Sequence, residues 1–425
     1  MTARQWWGQR SFRDRLLIVS LVGLAWRLIY VNFEISYRIL TDEAWYVTQA
    51  QRLFGPHAFT SLFDYALPTA QHGPLISVLL APVAWVFPGA TEGLRFAVPF
   101  IGCLTIIGFG MTGRAIAGER VGICAAVLAA VIPDFWVRDG LVVAEPLAVA
   151  ITILMVFAYI KLVQHRTAKW SVLTGCLAGA LALARAEALV LCFAVVLIAM
   201  WSMRDNWRVS LRTGALIMLC SITVVAPWFA FNAGRFERSV LLTNNLGITL
   251  AGANCEATYF DGRYIGYDTP LCWDAAQLRA RTVSADESVQ SAEMAHQGLV
   301  YARDHLSRIP VVVSMRELWM LGLYHPSYVV KMSALGGQPR WATWLQALTF
   351  WTLWGASMRV LWGIRRRWRD YATQPLPQLM VAFVVFTMLL GAVFVGHWRY
   401  RSTLDVALIL TLAIALGKFR GLKNP

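Results

Sequence analysis

Two adjacent carboxylates, Asp42 and Glu43, stand in the segment Thr41-Asp42-Glu43-Ala44-Trp45-Tyr46, just beyond the first long apolar stretch of the chain. Acids at the edge of a membrane are unfavourable unless they serve a purpose. A carboxylate held there can accept the proton of an attacking hydroxyl. The plainer alternative is that both acids complement the N-terminus of a helix over 42–54, a gain of roughly 0.3–1 kcal/mol. Glu145, ahead of Pro146, is a further acid at the start of an apolar stretch, and Glu43 and Glu145 are candidates to orient a substrate or to hold a divalent ion. His72, in Gln71-His72-Gly73-Pro74, is a candidate for meeting a substrate hydroxyl or phosphate, against the plain reading of an exposed loop histidine. Arg399, Tyr400 and Arg401 come late in the chain. Guanidinium groups grip phosphate through paired hydrogen bonds; the competing reading is an interfacial anchor of Trp398 and Tyr400.

These residues need a scaffold, and composition says which kind. Of the 425 residues, 58% are hydrophobic and 15% charged. Soluble domains average roughly 45–50% apolar and about 25% charged. The mean hydropathy is +0.54. This is the composition of an all-α polytopic membrane protein, with its core built inside the bilayer. The net charge of +14 falls in short loops between apolar runs, as the positive-inside rule requires, so nucleic-acid binding is excluded as its explanation.

A crossing takes about 20 apolar residues, fewer where a span is kinked or buried in protein. On that basis the chain reads as about ten spans: 16–34, 94–113, 121–133, 146–163, two short crossings within 171–201, then 213–231, 342–362, 377–395 and 404–417. Arg27 within the first run and the lack of a small-residue cleavage site make it an uncleaved span. Residues 75–87, between Pro74 and Pro88, read as a juxtamembrane or re-entrant helix; a crossing there would place Arg114 and Arg120 outside and invert every later loop. Arg185 and Glu187 interrupt 171–201 near its middle. Two apart, they do not face each other on a regular helix, so a bend or partners elsewhere must satisfy them, which favours a structural ion-pair network. Asp134 and Asp139 read as solvated.

Three parts follow: a transmembrane module over 1–231 with a first outer loop at about 35–93, an outer loop over 232–341 with a short helix near 286–306, and a three-span segment over 342–425. Both termini are then cytoplasmic, with Asp42, His72, Glu145 and Arg399 on the far side. Five cysteines lie in apolar runs and read as free. Cys255 and Cys272 lie in the polar loop, where an outside location favours a disulfide. No P-loop or glycine-rich dinucleotide fingerprint appears, and the seven histidines show no metal-ligand spacing. Trp45, Trp273 and Trp319 suit sugar stacking or membrane anchoring.

The chain resembles the GT-C membrane glycosyltransferases, especially the family 39-like group that includes protein O-mannosyltransferases and bacterial aminoarabinose transferases. Four places carry the likeness: Asp42-Glu43 after a first span with Arg27, Gln71-His72-Gly73-Pro74-Leu75, Glu145-Pro146-Leu147, and Arg399-Tyr400-Arg401 ahead of Leu404 and Asp405. Asn254-Cys255-Glu256 through Cys272 resembles a loop of bacterial members, and a bridge there is worth about 3 kcal/mol by chain entropy. Glu145 stands where the family usually has Asp, and Gly73 where it has proline. The resemblance implies a GT-C fold and transfer of a sugar from a polyprenyl-phosphate donor in the membrane to an envelope acceptor on the outer face, with inversion. It implies Asp42 as base, with Glu43, Glu145, His72, Tyr400, Arg399 and Arg401 around the substrates. The competing classes are a lipid or small-solute transporter or flippase, whose signature of internal repeats is not seen, and a non-catalytic scaffold that would tolerate loss of Asp42.

Overall fold

The computed structural model describes residues 3–33, 42–89, 92–367 and 374–419. Helices make up nearly all of its regular structure; among the described residues the only extended pairing is an isolated bridge between Thr60 and Pro68. In chain order the principal helices of the first module are α1 (Phe12–Phe33), α2 (Asp42–Arg52), α3 (Leu75–Val86), α4 (Val98–Ala117), α5 (Glu119–Val131), α6 (Ala144–His165), α7 (Ala168–Ala184), α8 (Leu189–Ser202) and α9 (Trp207–Asn232). Residues 232–341 fold into α10 (Asn245–Ala253), α11 (Pro270–Arg281), α12 (Glu287–Asp304), α13 (Ile309–Met320) and α14 (Pro326–Leu335), followed by α15 (Arg340–Ile364), α16 (Pro375–Val393) and α17 (Ser402–Phe419).

Among the described residues, six helices are long and apolar enough to cross a membrane, or seven if the bent pair Glu119–Val131 and Pro133–Gly140 is one span. This is a multi-pass membrane protein. The helix over 75–86 is apolar but has only 12 residues, too short to cross. The run 171–201 breaks as its charges require: α7 ends at Ala184, Arg185 is extended, and a single 3-10 turn over Ala186–Ala188 leads into α8.

The hub is α6, apolar around most of its circumference and packed against α4 and α7. Small residues set the closest crossing. At Gly122 of α5 an added Cβ would lie 2.6 Å from the Gly110 carbonyl of α4, so a larger residue would push these helices apart. The buried charge of the first long helix is paired, as low-dielectric surroundings demand. Arg27 is fully buried, with Nε 2.5 Å from Asp139 Oδ2, and its other nitrogens donate to the carbonyls of Gly23, Ala129 and Ala130.

That pairing corrects the reading of Asp134 and Asp139 as solvated: both are buried, because each neutralises an arginine arriving from a distant span. Removing one member strands the other. Arg27→Ala is expected to destabilise the fold by about 3–5 kcal/mol, whereas the paired change Arg27→Met with Asp139→Leu recovers most of it. Thermal unfolding in detergent would show whether the double variant melts above the single one.

The 42–54 helix stops at Arg52. Trp45, Tyr46, Val47 and Ala50 are buried, and Phe54 is exposed. Thr41, the residue ahead of this helix, lies outside the described residues. The helix near 286–306 is α12, whose N-cap Asp286 accepts from the Ser288 and Val289 amides. Cys255 and Cys272 are bonded, with Cα atoms 6.2 Å apart. Trp45 and Trp319 are buried, which removes them from the surfaces available for sugar stacking.

Candidate functional site

Five segments distant in sequence meet where α2, α6, α7 and the turn before α17 converge. Asp42 is the first residue of α2, held by the packing of Trp45 and Tyr46 beneath it. His72 lies on the irregular stretch 69–74. Gly73 lets this stretch lie directly on the break after α7, since a Cβ there would run into the carbonyls of Leu183 and Ala184. Glu145 opens α6, Arg185 occupies the break itself, and Arg399 lies in the short turn Trp398–Arg401.

These side chains form one ion-pair chain. Asp42 Oδ2 is 2.8 Å from Arg399 Nη1, and Asp42 Oδ1 is 3.6 Å from His72 Nε2. Glu145 Oε1 sits between two guanidinium groups, 3.1 Å from Arg399 Nε and 2.6 Å from Arg185 Nη1. Arg185 Nε is in turn 2.5 Å from Glu187 Oε1, and its guanidinium lies 5.5 Å from the Tyr400 ring centre. Burial alone would push the Asp42 carboxyl up, but Arg399 and His72 beside it outweigh burial and hold it well below the usual carboxylate range. Burial pushes the His72 imidazole down, against the pull of Asp42, so the ring is neutral at pH 7. Asp268, from the outer loop, feels the charge of Arg399, yet burial raises it to about 6.

Arg399 is fixed through its backbone. Its N–H donates to His397 Nδ1 at 3.1 Å, and Arg138 donates to the carbonyls of Trp398 and Arg399 at 3.2 and 3.3 Å. Arg401 goes the other way. It is fully buried, 3.9 Å from the Phe350 ring centre and 3.3 Å from Asp134, so the structure does not place it with the substrate-facing group. Glu43 also points inward: buried, it accepts the Val142 N–H at 2.6 Å and ties α2 to the turn before α6. Arg185 and Glu187 join the site, although the sequence marks them only as an interruption in a span.

A cavity of about 300 Å³ opens above this group. His72, Arg185, Glu187, Arg399 and Tyr400 line one side, and the 239–249 segment roofs it. The roof is pinned from outside by α12. Glu287 accepts from the Thr69 hydroxyl, the Ala70 N–H and the Asn244 amide, and the Asn244 N–H donates to the Ala70 carbonyl at 2.8 Å. A resident divalent ion does not fit. Asp42 and Glu145 are each engaged by an arginine, Glu43 accepts the Val142 N–H, and no group of three or more metal-ligating side chains occurs among the described residues.

Residues 71–231 match the family model for dolichyl-phosphate-mannose-protein mannosyltransferase, less than half of the chain but including His72, Glu145, Arg185 and Glu187. No curated protein matches. Among solved structures, the apo oligosaccharyltransferase of Archaeoglobus fulgidus superposes with a TM-score of 0.58 at 15% identity, covering 99% of this chain and 52% of that one. The same organism's oligosaccharyltransferase AglB, in complex with an inhibitory peptide and a dolichol-phosphate, gives 0.55 at 15% identity over the same shares. The chain therefore spans about half the length of the archaeal proteins it matches. ArnT from Cupriavidus metallidurans, bound to undecaprenyl phosphate, gives 0.45 at 16% identity over 98% of this chain and 79% of that one. The chain shares its fold with the archaeal oligosaccharyltransferases.

Proposed function

We propose that this GT-C membrane protein is a glycosyltransferase. It moves a sugar from a polyprenyl-phosphate donor to a hydroxyl-bearing envelope acceptor on the outer face of the membrane, with both chain termini in the cytoplasm. The observation that carries this reading is the single ion-paired cluster of Asp42, Glu145, Arg185 and Arg399, whose two arginines line the cavity of about 300 Å³. A polyprenyl tail can lie against the spans while its phosphate reaches the arginines. One of the archaeal structures superposed above holds a dolichol-phosphate, which agrees with a carrier of this kind.

The acceptor oxygen forms a bond to the anomeric carbon as the bond from that carbon to the phosphate oxygen breaks. The acceptor proton passes to Asp42. A weakly basic carboxylate suffices, because the hydroxyl proton becomes acidic only as the new bond forms. The electron pair leaves on the carrier phosphate, whose growing charge Arg399 and Arg185 stabilise. A single displacement inverts the anomeric centre. His72, neutral and beside Asp42, orients that carboxylate, and Glu145 holds the two guanidinium groups in one plane of approach. The cavity roof and the first outer loop hold both substrates in line.

The direct test supplies membranes containing the protein with radiolabelled polyprenyl-phosphate sugars and a crude envelope acceptor. Label moving from the lipid phase to acceptor is the expected result; donors left intact by every membrane preparation would remove the reading. A second outcome is expected for Arg138→Ala. The turn carrying Arg399 loses two of its anchors, and a displacement near 1 Å costs about a hundredfold in transfer. Circular dichroism would show the helices retained.

A further inference from the structure

The cavity has two unlike sides. The floor is charged, with Arg185, Glu187 and Arg399, whereas the 239–249 roof contributes no charged side chain. Two amides stand where the roof meets the first outer loop, Gln71 and Asn245. The bond from the Asn244 N–H to the Ala70 carbonyl joins these segments; each amide follows that bond by one residue, and both line the cavity. Their neighbours are engaged: the Asn244 amide donates to Glu287 and the Thr249 hydroxyl to the Asn245 carbonyl. Among the described residues, the side-chain amides of Gln71 and Asn245 have no hydrogen-bond partner. Their backbones are nonetheless held: the Gln71 N–H donates to the Thr69 hydroxyl at 3.4 Å, next to Ala70, whose own N–H donates to Glu287, and Asn245 opens α10.

We infer that Gln71 and Asn245 read the hydroxyls of the donor's sugar, and that this sugar is uncharged. The inference rests on the donor reading above. Each amide offers a donor and an acceptor, the complement of a hydroxyl that can act as either. A phosphate on the charged floor turns the sugar attached to it toward the roof. An ammonium or carboxylate on that sugar would lose water there and meet no counter-charge. Selection then comes from the roof, and carrier capture from the floor.

The test measures equilibrium binding to the full-length protein in detergent, with no acceptor needed. The probes are undecaprenyl phosphate alone, the same carrier bearing each of several neutral hexoses and pentoses, and carriers bearing glucosamine or glucuronic acid. Wild type is expected to bind at least one neutral donor more tightly than the bare carrier, and the charged-sugar donors no more tightly. Gln71→Ala and Asn245→Ala each reduce that sugar-dependent gain about fivefold to tenfold and leave bare-carrier affinity unchanged, which also shows that the variants are folded. A charged-sugar donor bound most tightly, no gain from any neutral sugar, or a gain unaffected by both substitutions would overturn the inference while leaving carrier binding intact. Failure of wild type to bind the bare carrier would instead overturn the donor reading itself, and the inference with it.

Discussion

Asp42→Asn is expected to lower sugar transfer by about 10²–10⁴-fold, the range for removing a positioned general base. The amide keeps the shape and can still accept from Arg399, but it cannot take a proton. It also removes a negative charge 2.8 Å from the guanidinium proposed to hold the phosphate. Donor affinity therefore stays equal or rises while turnover falls. A merely structural role for Asp42 would lower both, and unchanged turnover would take Asp42 out of the chemistry. The pH profile supplies a separate readout. The base acts when deprotonated, and Arg399 and His72 hold the Asp42 carboxyl well below the usual carboxylate range. Its acid limb thus lies below the usual carboxylate range, so transfer should not fall through protonation of Asp42 between pH 7 and pH 5. His72, kept neutral by burial, should add no limb above pH 7.

Much of this site is legible in the sequence because charge in an apolar context is rare. Asp42, His72, Glu145 and Arg399 each stand out against the spans beside them, and the charge pattern of the loops assigns them to one side of the membrane. What is not legible is direction. Neighbours on a helix diverge by about 100°. Asp42 and Glu43 at the start of α2 therefore cannot share a face, and the packing of Trp45 and Tyr46 decides which one enters the core. In the turn Trp398–Arg401, residues two apart are separated by about 240°. Arg399 accordingly faces the cavity while Arg401 reaches back to Asp134, a partner 267 positions away. Pairings of that length leave no local trace. The same holds for Arg185: its break in the helix is visible, but its approach to Glu145 depends on how α6 and α7 pack. The ten apolar runs all appear as helices, yet among the described residues only six, or seven with the bent pair, have the length and apolarity of a full crossing. Short helices buried in protein need neither.

Arg399 is the residue at which base and leaving group are joined, and its replacement should separate them. It lies against both Asp42 and Glu145, and it is proposed to bear the phosphate charge as the anomeric bond breaks. Arg399→Ala is expected to lose about 10²–10³-fold in turnover, the scale of removing one preorganised donor from a developing anion. Bare-carrier binding should weaken as well, since Arg185 alone then faces the phosphate and remains shared with Glu145 and Glu187. A second consequence follows from the same pair. Burial pushes the Asp42 carboxyl up, and Arg399 is the largest influence opposing it. Without Arg399 that carboxyl moves upward, so the acid limb of the residual transfer shifts to higher pH. Arg399→Lys tells the two roles apart. It restores a positive charge, and should bring the acid limb most of the way back. A single ammonium cannot span Asp42 and Glu145 as the planar fork does, so most of the loss in turnover remains. Full recovery of turnover by lysine would mean that charge alone suffices; an acid limb unmoved in Arg399→Ala would show that the base lies elsewhere than Asp42.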